Sequence, residues 1–436
     1  MPSDRIKPRG LLGRITRRPN AITSVIKIAN ALLGFLTAVL LARTLGVEGY
    51  GEYAFVYAIM TMLAIPTTLG LPQLVIRETA LALQAGNTAR IRAIWSWAHR
   101  VILVTSFAIA VMTIAAVAVF GTGISSRNTF LLGLLLVPLI ALGNLRGASL
   151  RGLGRLVFGQ LPDSILRPLF FNIAVLLWTV IAGTTNFTAF DALLLHIAAA
   201  FATFIIGTAI LLRHTPPMEA GRTEAIDGRA LLLATGALGA VAGLTTINNN
   251  IDIIMIARAL SATEVGIYKP VVTIAGLALF GQQVVTVVIM PQVAKLYAAG
   301  RKAELQQLLK RNARRSFLLA LGVLTAIVLG GQWGLGVAFG EPFRAGYPAL
   351  VILACAQTIN AALGSTALLM NMSGNERITL AAISAAVAAN LILNSVLIRF
   401  MGIEGAATAT FAALMLYKGI LTIVIRRKLG IGSSIF

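Results

Sequence analysis

Apolar runs of twenty or more residues follow one another along nearly the whole chain, parted by short polar stretches rich in Gly, Arg and Lys. Each run is long enough to cross a hydrocarbon layer of roughly 30 Å as a helix. Twelve spans are predicted, over residues 20–42, 52–76, 98–120, 128–150, 160–183, 188–212, 230–257, 266–293, 316–339, 346–370, 378–400 and 403–425. Pro66, Pro138 and Pro168 interrupt three of them, which membrane helices tolerate because neighbours satisfy the freed carbonyls.

The pattern repeats. Ala42, Arg43, Leu45, Gly51, Tyr53 and Val56 return at one constant offset as Ala257, Arg258, Leu260, Gly266, Tyr268 and Val271, each set lying between two long apolar runs. A polar stretch at 213–229, marked by Pro216 and Pro217, divides the spans evenly. The expected fold class is therefore all-α integral membrane, with twelve transmembrane helices in two parallel-repeat six-helix bundles. The expected organisation is a basic tail at 1–19, a first bundle at 20–212, a linker at 213–229, a second bundle at 230–425 and a tail at 426–436. Six spans per half make both halves enter from the same face, so the repeat axis runs along the membrane normal and a cavity falls between the halves.

Composition agrees: 58% hydrophobic residues, 12% charged and a mean hydropathy of +0.87 exclude a soluble domain of this length. Of the 36 Lys and Arg, only Arg43, Arg127, Arg258, Arg344 and Arg399 fall on what would be the outer side if the N-terminus is cytoplasmic. Such one-sided loading places both termini in the cytoplasm. It also explains the net charge of +21 without nucleic acid. The basic opening segment reads as a cytoplasmic tail, not a cleaved signal, because the apolar run behind it is long enough to span.

Cys355 is the only cysteine, which excludes an intrachain disulfide, and His99, His196 and His214 show no metal-ligand spacing. With 15 acidic residues, mostly in loops, and no large extramembrane segment, the chain lacks the material for a catalytic site, and no enzyme activity is expected. The basic stretch at 301–315 sets Leu305, Leu308 and Leu309 on one face, which predicts an amphipathic helix lying on the inner leaflet.

Charges inside the spans are the candidate chemistry, since an ionisable group in hydrocarbon costs several kcal/mol. Lys27, Arg146, Arg167, Lys269 and Lys418 give the interior a positive sign, against Asp163 and Asp252. Such a cavity suits an anion and repels a cationic drug. Each residue has a plainer alternative. Lys27 and Lys418 can snorkel to the inner interface; Asp163 and Arg167, four apart, can pair on one helix; Asp252 can be neutralised by Lys269 on the next helix. Asn248, Asn249 and Asn250 precede Asp252, and a run of amides needs a wet cavity or a neighbouring helix, so Asn250 joins the substrate-binding candidates.

The segments LARTLGVEGYGEYAF, GLPQLVIRE, GIYK, MPQVAKLYAAG, GEPFRAGYPALVIL, NMSGNERITL, ANLILNSVLI and MGIEGAATAT, in this order, resemble the Wzx-type polysaccharide exporters of the MOP flippase superfamily. The resemblance runs from about residue 20 to 425. It implies a flippase that moves an undecaprenyl-pyrophosphate-linked oligosaccharide, an O-antigen or other surface polysaccharide repeat unit, across the bacterial inner membrane by alternating access. The alternatives are a MATE-like cation-coupled multidrug exporter or a flippase for another lipid-linked precursor. It further implies no bound cofactor, coupling to a proton or sodium gradient with Asp252 and Asp163 as its candidates, and partners among membrane lipids and polysaccharide polymerase or assembly proteins.

Overall fold

The computed structural model of the chain describes residues 19–68, 70–123, 125–183, 186–217, 227–432 and 434–435. Residues 1–18 of the expected tail and 218–226 of the expected linker lie outside the described residues. Within them there is no strand. The first half holds α1 (Pro19–Thr68), α2 (Leu71–Gln84), α3 (Thr88–Phe120), α4 (Arg127–Gly133), α5 (Leu136–Gly152), α6 (Leu156–Leu161), a π-turn (Pro162–Leu166), α7 (Arg167–Ala182) and α8 (Ala189–His214). The second holds α9 (Gly228–Ala259), α10 (Ala262–Ala278), α11 (Phe280–Ala298), α12 (Lys302–Phe339), a 3-10 turn (Glu341–Gly346), α13 (Tyr347–Ala362), α14 (Thr366–Met372) and α15 (Glu376–Leu429). Nine of the described helical stretches are long and apolar enough to cross a membrane.

Two of these stretches are about double length. At 1.5 Å per residue, the 50 residues of α1 would reach about 75 Å if straight. Instead the helix breaks at Gly46, with φ 67 and ψ −174, a conformation that needs a residue without Cβ. α15 breaks the same way at Gly402, with φ 59 and ψ −134. In the second half, the junction falls between α9 and α10, where Ser261, the repeat counterpart of Gly46, caps α10 by accepting from the Glu264 N–H at 3.3 Å. The spans expected at 266–293 and 346–370 are interrupted, at Leu279 and at Gly364 respectively.

The two copies of the repeat meet face to face. A Cβ placed on Gly51 would lie 1.8 Å from the carbonyl oxygen of Ala262, and one on Gly266 would lie 1.9 Å from that of Val47. These contacts are the same contact read in both directions, because Val47 and Ala262 are themselves counterparts at the offset that relates Gly51 to Gly266. Reciprocity of this kind is the mark of a twofold axis passing between α1 and α10.

The central core runs through this junction, and each half adds an apolar cluster at one end. In the first half it is built on Leu74, Ile94 and Leu145, in the second on Val293, Leu309 and Ile425. The outer surface is apolar: Phe107 is 73% exposed, and Leu329 and Phe400 are each 82% exposed, as a lipid-facing surface requires. The amphipathic helix expected on the inner leaflet is corrected. It is the first part of the continuous helix α12, and its Leu305 and Leu309 are buried against Val293, Leu421 and Ile425. Protein takes the apolar face assigned to lipid, because the ends of α11 and α15 supply a matching surface.

Candidate functional site

A cavity of about 440 Å³ lies between the halves. The first half contributes Lys27, Asn30 and Tyr57 from α1, Asp163 from the π-turn, Arg167 and Phe171 from α7, and His196 from α8. Lys269 and Thr273 of α10 and Gln283 of α11 come from the second half. Lys27, Arg167 and Lys269 have no carboxylate within ion-pair distance among the described residues. Asp163 does not offset them, since its Oδ2 accepts from Arg146 Nη2 at 2.6 Å. The wall is therefore electropositive.

The i,i+4 pairing of Asp163 with Arg167 does not form. Gly147 on α5 lets α6 approach, and Gly143 lets the π-turn approach so closely that a Cβ there would sit 3.0 Å from Asp163 Oδ1. Asp163 then turns to Arg146 on α5, and Arg167 is left to the cavity. Arg146 itself is corrected as a lining residue. It is 1% exposed, donates to the carbonyls of Thr203 and Phe204 at 3.0 and 3.1 Å, and lies in the notch left by Gly207.

Lys418 is likewise absent from the cavity wall and does not snorkel. It is 6% exposed, and its Nζ donates to the Gly364 carbonyl at 2.8 Å. Gln282 Nε2 donates to that same oxygen at 3.1 Å. Both satisfy a carbonyl freed where α13 gives way to α14. Asn250 also lies off the wall, with its amide donating to Thr246 O one turn back on α9.

Asp252 and Lys269 do not pair. Consecutive helical residues point about 100° apart, so Tyr268 turns into the second half while Lys269 faces the cavity. Asp252, 6% exposed, accepts from Tyr268 Oη at 3.2 Å, Asn394 Nδ2 at 2.9 Å and Thr410 Oγ1. Asn394 also donates to Asn390, which in turn donates to Asn248 Oδ1 at 3.4 Å. The result is a carboxylate held by neutral donors from three helical segments, with Asn394 Oδ1 buried and unpartnered. Among the described residues no Lys, Arg or His lies within ion-pair distance of Asp252. Sequence reading missed Tyr268, Asn390, Asn394 and Thr410; the signal was two asparagines four apart in an apolar span. It missed as well the aromatic wall of Tyr53, Tyr57, Phe171 and His196.

Residues 18–297 match the polysaccharide biosynthesis protein family. The chain belongs to that family. Over 162 residues, this family member is 27% identical to Agl15 of Haloferax volcanii, named as a probable low-salt glycan biosynthesis flippase. That match spans 36% of this chain and about a third, 34%, of the relative. Solved structures share the fold across almost the whole length. An inward-facing MATE family multidrug resistance transporter of the MOP superfamily superposes with a TM-score of 0.73 at 13% identity, covering 93% of this chain and 98% of that one. The lipid II flippase MurJ, inward closed, gives 0.69 at 12% identity, covering 92% and 87%. A MOP superfamily transporter from Pyrococcus furiosus, described by a pocket of reverse polarity, gives 0.65 at 12% identity, covering 95% and 96%. The polysaccharide biosynthesis family member is thus a multi-pass membrane protein with the MOP transporter fold.

Proposed function

We propose that the protein is a flippase for an undecaprenyl-pyrophosphate-linked oligosaccharide, the repeat unit of O-antigen or another surface polysaccharide, in the bacterial inner membrane. The observation that carries this reading is the cavity between the halves, where Lys27, Arg167 and Lys269 stand without carboxylate partners among the described residues. A pyrophosphate supplies the missing negative charge, and in a site poor in water the attraction is strong. The polyprenyl tail stays in lipid, because moving it into protein gains nothing over hydrocarbon. A cation-drug exporter meets the wrong sign here.

In this reading the chain crosses twelve times with both termini cytoplasmic, and the Gly51/Gly266 contact seals the outer end. The halves rock about their twofold axis to open the cavity to each leaflet in turn. Asp252 exchanges a proton or sodium ion between the two states, and Asp163 is locked to Arg146 and holds the π-turn. Arg146, Lys418 and Asn250 act behind the wall as supports. Polymerase and assembly proteins are the partners that such a pathway supplies.

The test is transport in vesicles of purified protein carrying a fluorescent polyprenyl-diphosphate oligosaccharide. Replacing Lys27, Arg167 and Lys269 together with Ala lowers flipping at least tenfold while membrane insertion is unchanged. Unaltered flipping by the triple variant, or export of an organic cation by the native protein, defeats the proposal.

A further inference from the structure

The first half carries a stack of rings that neither anion binding nor ion exchange uses. Tyr53 lies parallel to Tyr57 with centroids 6.1 Å apart and planes 5° apart, and to Phe171 at 6.2 Å and 11°. His196 closes the group at 5.1 Å from Tyr57 and 4.7 Å from Phe171. Tyr53 Oη and His196 Nδ1 share a hydrogen bond of 2.6 Å, which pins the inner members. All four line the cavity, yet they differ in exposure. Tyr53, Phe171 and His196 are buried, whereas Tyr57 is half-buried and its hydroxyl has no hydrogen-bond partner among the described residues.

The duplication shows what this wall is not. Thr37 and Tyr53 correspond, at the offset of the repeat, to Asp252 and Tyr268. In the second half, the tyrosine closes over the carboxylate and is fully buried away from the cavity. In the first half the carboxylate position is Thr37, which donates to Asn172 at 2.8 Å, and the tyrosine is bonded instead to His196. One half therefore carries a carboxylate nest suited to an ion. Its counterpart carries an aromatic stack that lines the cavity and presents Tyr57 to it.

We propose that this ring stack, with Tyr57 at its exposed edge, is the sugar-recognition surface of the cavity. It packs the apolar C–H face of a pyranose ring whose diphosphate lies on Arg167 and Lys269. An aromatic ring offers an apolar face with a polar handle, and a pyranose presents the complementary pair, C–H groups on one face and hydroxyls at the rim. Cations alone select the phosphates and leave the sugar unread; the ring surface makes the protein distinguish a glycosylated lipid from the bare carrier. This inference rests on the flippase reading above.

The test compares binding of undecaprenyl diphosphate, bare or bearing a single hexose, to the full-length protein in lipid nanodiscs. The native protein is expected to prefer the hexose-bearing lipid by about tenfold, the scale of one aromatic stacking contact. Tyr57→Phe and Tyr57→Trp keep that preference, while Tyr57→Leu, which fills similar space without a ring, and Tyr57→Ala bring the ratio close to one. A native protein that binds both lipids equally overturns the sugar-recognition inference and leaves the flippase reading standing. So does a Tyr57→Leu variant that retains the preference, or a Tyr57→Phe variant that loses it. A native protein that binds neither lipid overturns the flippase reading, and this inference with it.

Discussion

Arg146 and Arg167 carry the same side chain on neighbouring elements and have different jobs, because their surroundings differ. Arg146 is enclosed, paired with Asp163 and bonded to two carbonyls of α8. Without Arg146, Asp163, 29% exposed on the cavity wall, would lose its cation while still partly reached by water, so the loss is smaller than the about 3 to 5 kcal/mol of a fully buried pair. Arg146→Met is expected to lower the thermal unfolding midpoint in detergent by several degrees, and Arg167→Met is expected to leave it nearly unchanged while reducing transport. Asp252 presents the opposite case, a carboxylate with donors but no cation among the described residues. Because no static pair exists to break, Asp252→Asn is expected to insert and fold with near-native yield yet flip at a rate independent of an imposed proton or sodium gradient. Gradient-driven flipping by this variant in vesicles would remove Asp252 from the coupling step.

Among the elements, α1 and α10 cross in backbone contact between the halves, and the tightness of that crossing comes from two glycines. A methyl group at Gly51 or Gly266 would overlap a carbonyl oxygen at 1.8 or 1.9 Å, so backbone has to move to admit it. Gly51→Ala and Gly266→Ala are each expected to loosen this end of the cavity. In a Cys355→Ser background, a cysteine at Thr273 should then react faster with a membrane-impermeant thiol reagent added outside than it does with both glycines intact. Equal rates would show that the contact is not the seal. The broken helices make the same point about polar backbone. At Gly364 the freed carbonyl is met by Gln282 and Lys418, which turns two residues of membrane spans into structural donors.

Across the whole molecule, the reciprocal contact of Val47 with Gly266 and Ala262 with Gly51 lies where the two halves meet about their twofold axis. If the halves rock about it, holding Val47 and Ala262 together must arrest transport. A short cleavable crosslinker between cysteines at these two positions, again in a Cys355→Ser background, is expected to stop flipping. Cleaving the linker should restore it. Continued flipping by the crosslinked protein would require a path that leaves this end closed throughout the cycle.

Apolar run length determined the membrane class and most of the helices, because a chain in hydrocarbon has to satisfy its backbone within each helix. The internal repeat located the junction between the halves, and Gly51 and Gly266 were already visible in it. Charged residues in the spans were legible too, since so few occur there. Where those charges point was decided by tertiary structure alone. Neighbours on a helix face different ways, so Lys269 reached the cavity while Tyr268 took Asp252. The glycine notches at Gly143 and Gly207 drew Asp163 and Arg146 together, and a carbonyl freed by a helix break claimed Lys418. Spacing along one helix cannot show which partner a neighbouring helix will offer, and in a bilayer that partner decides whether a charge is support or site.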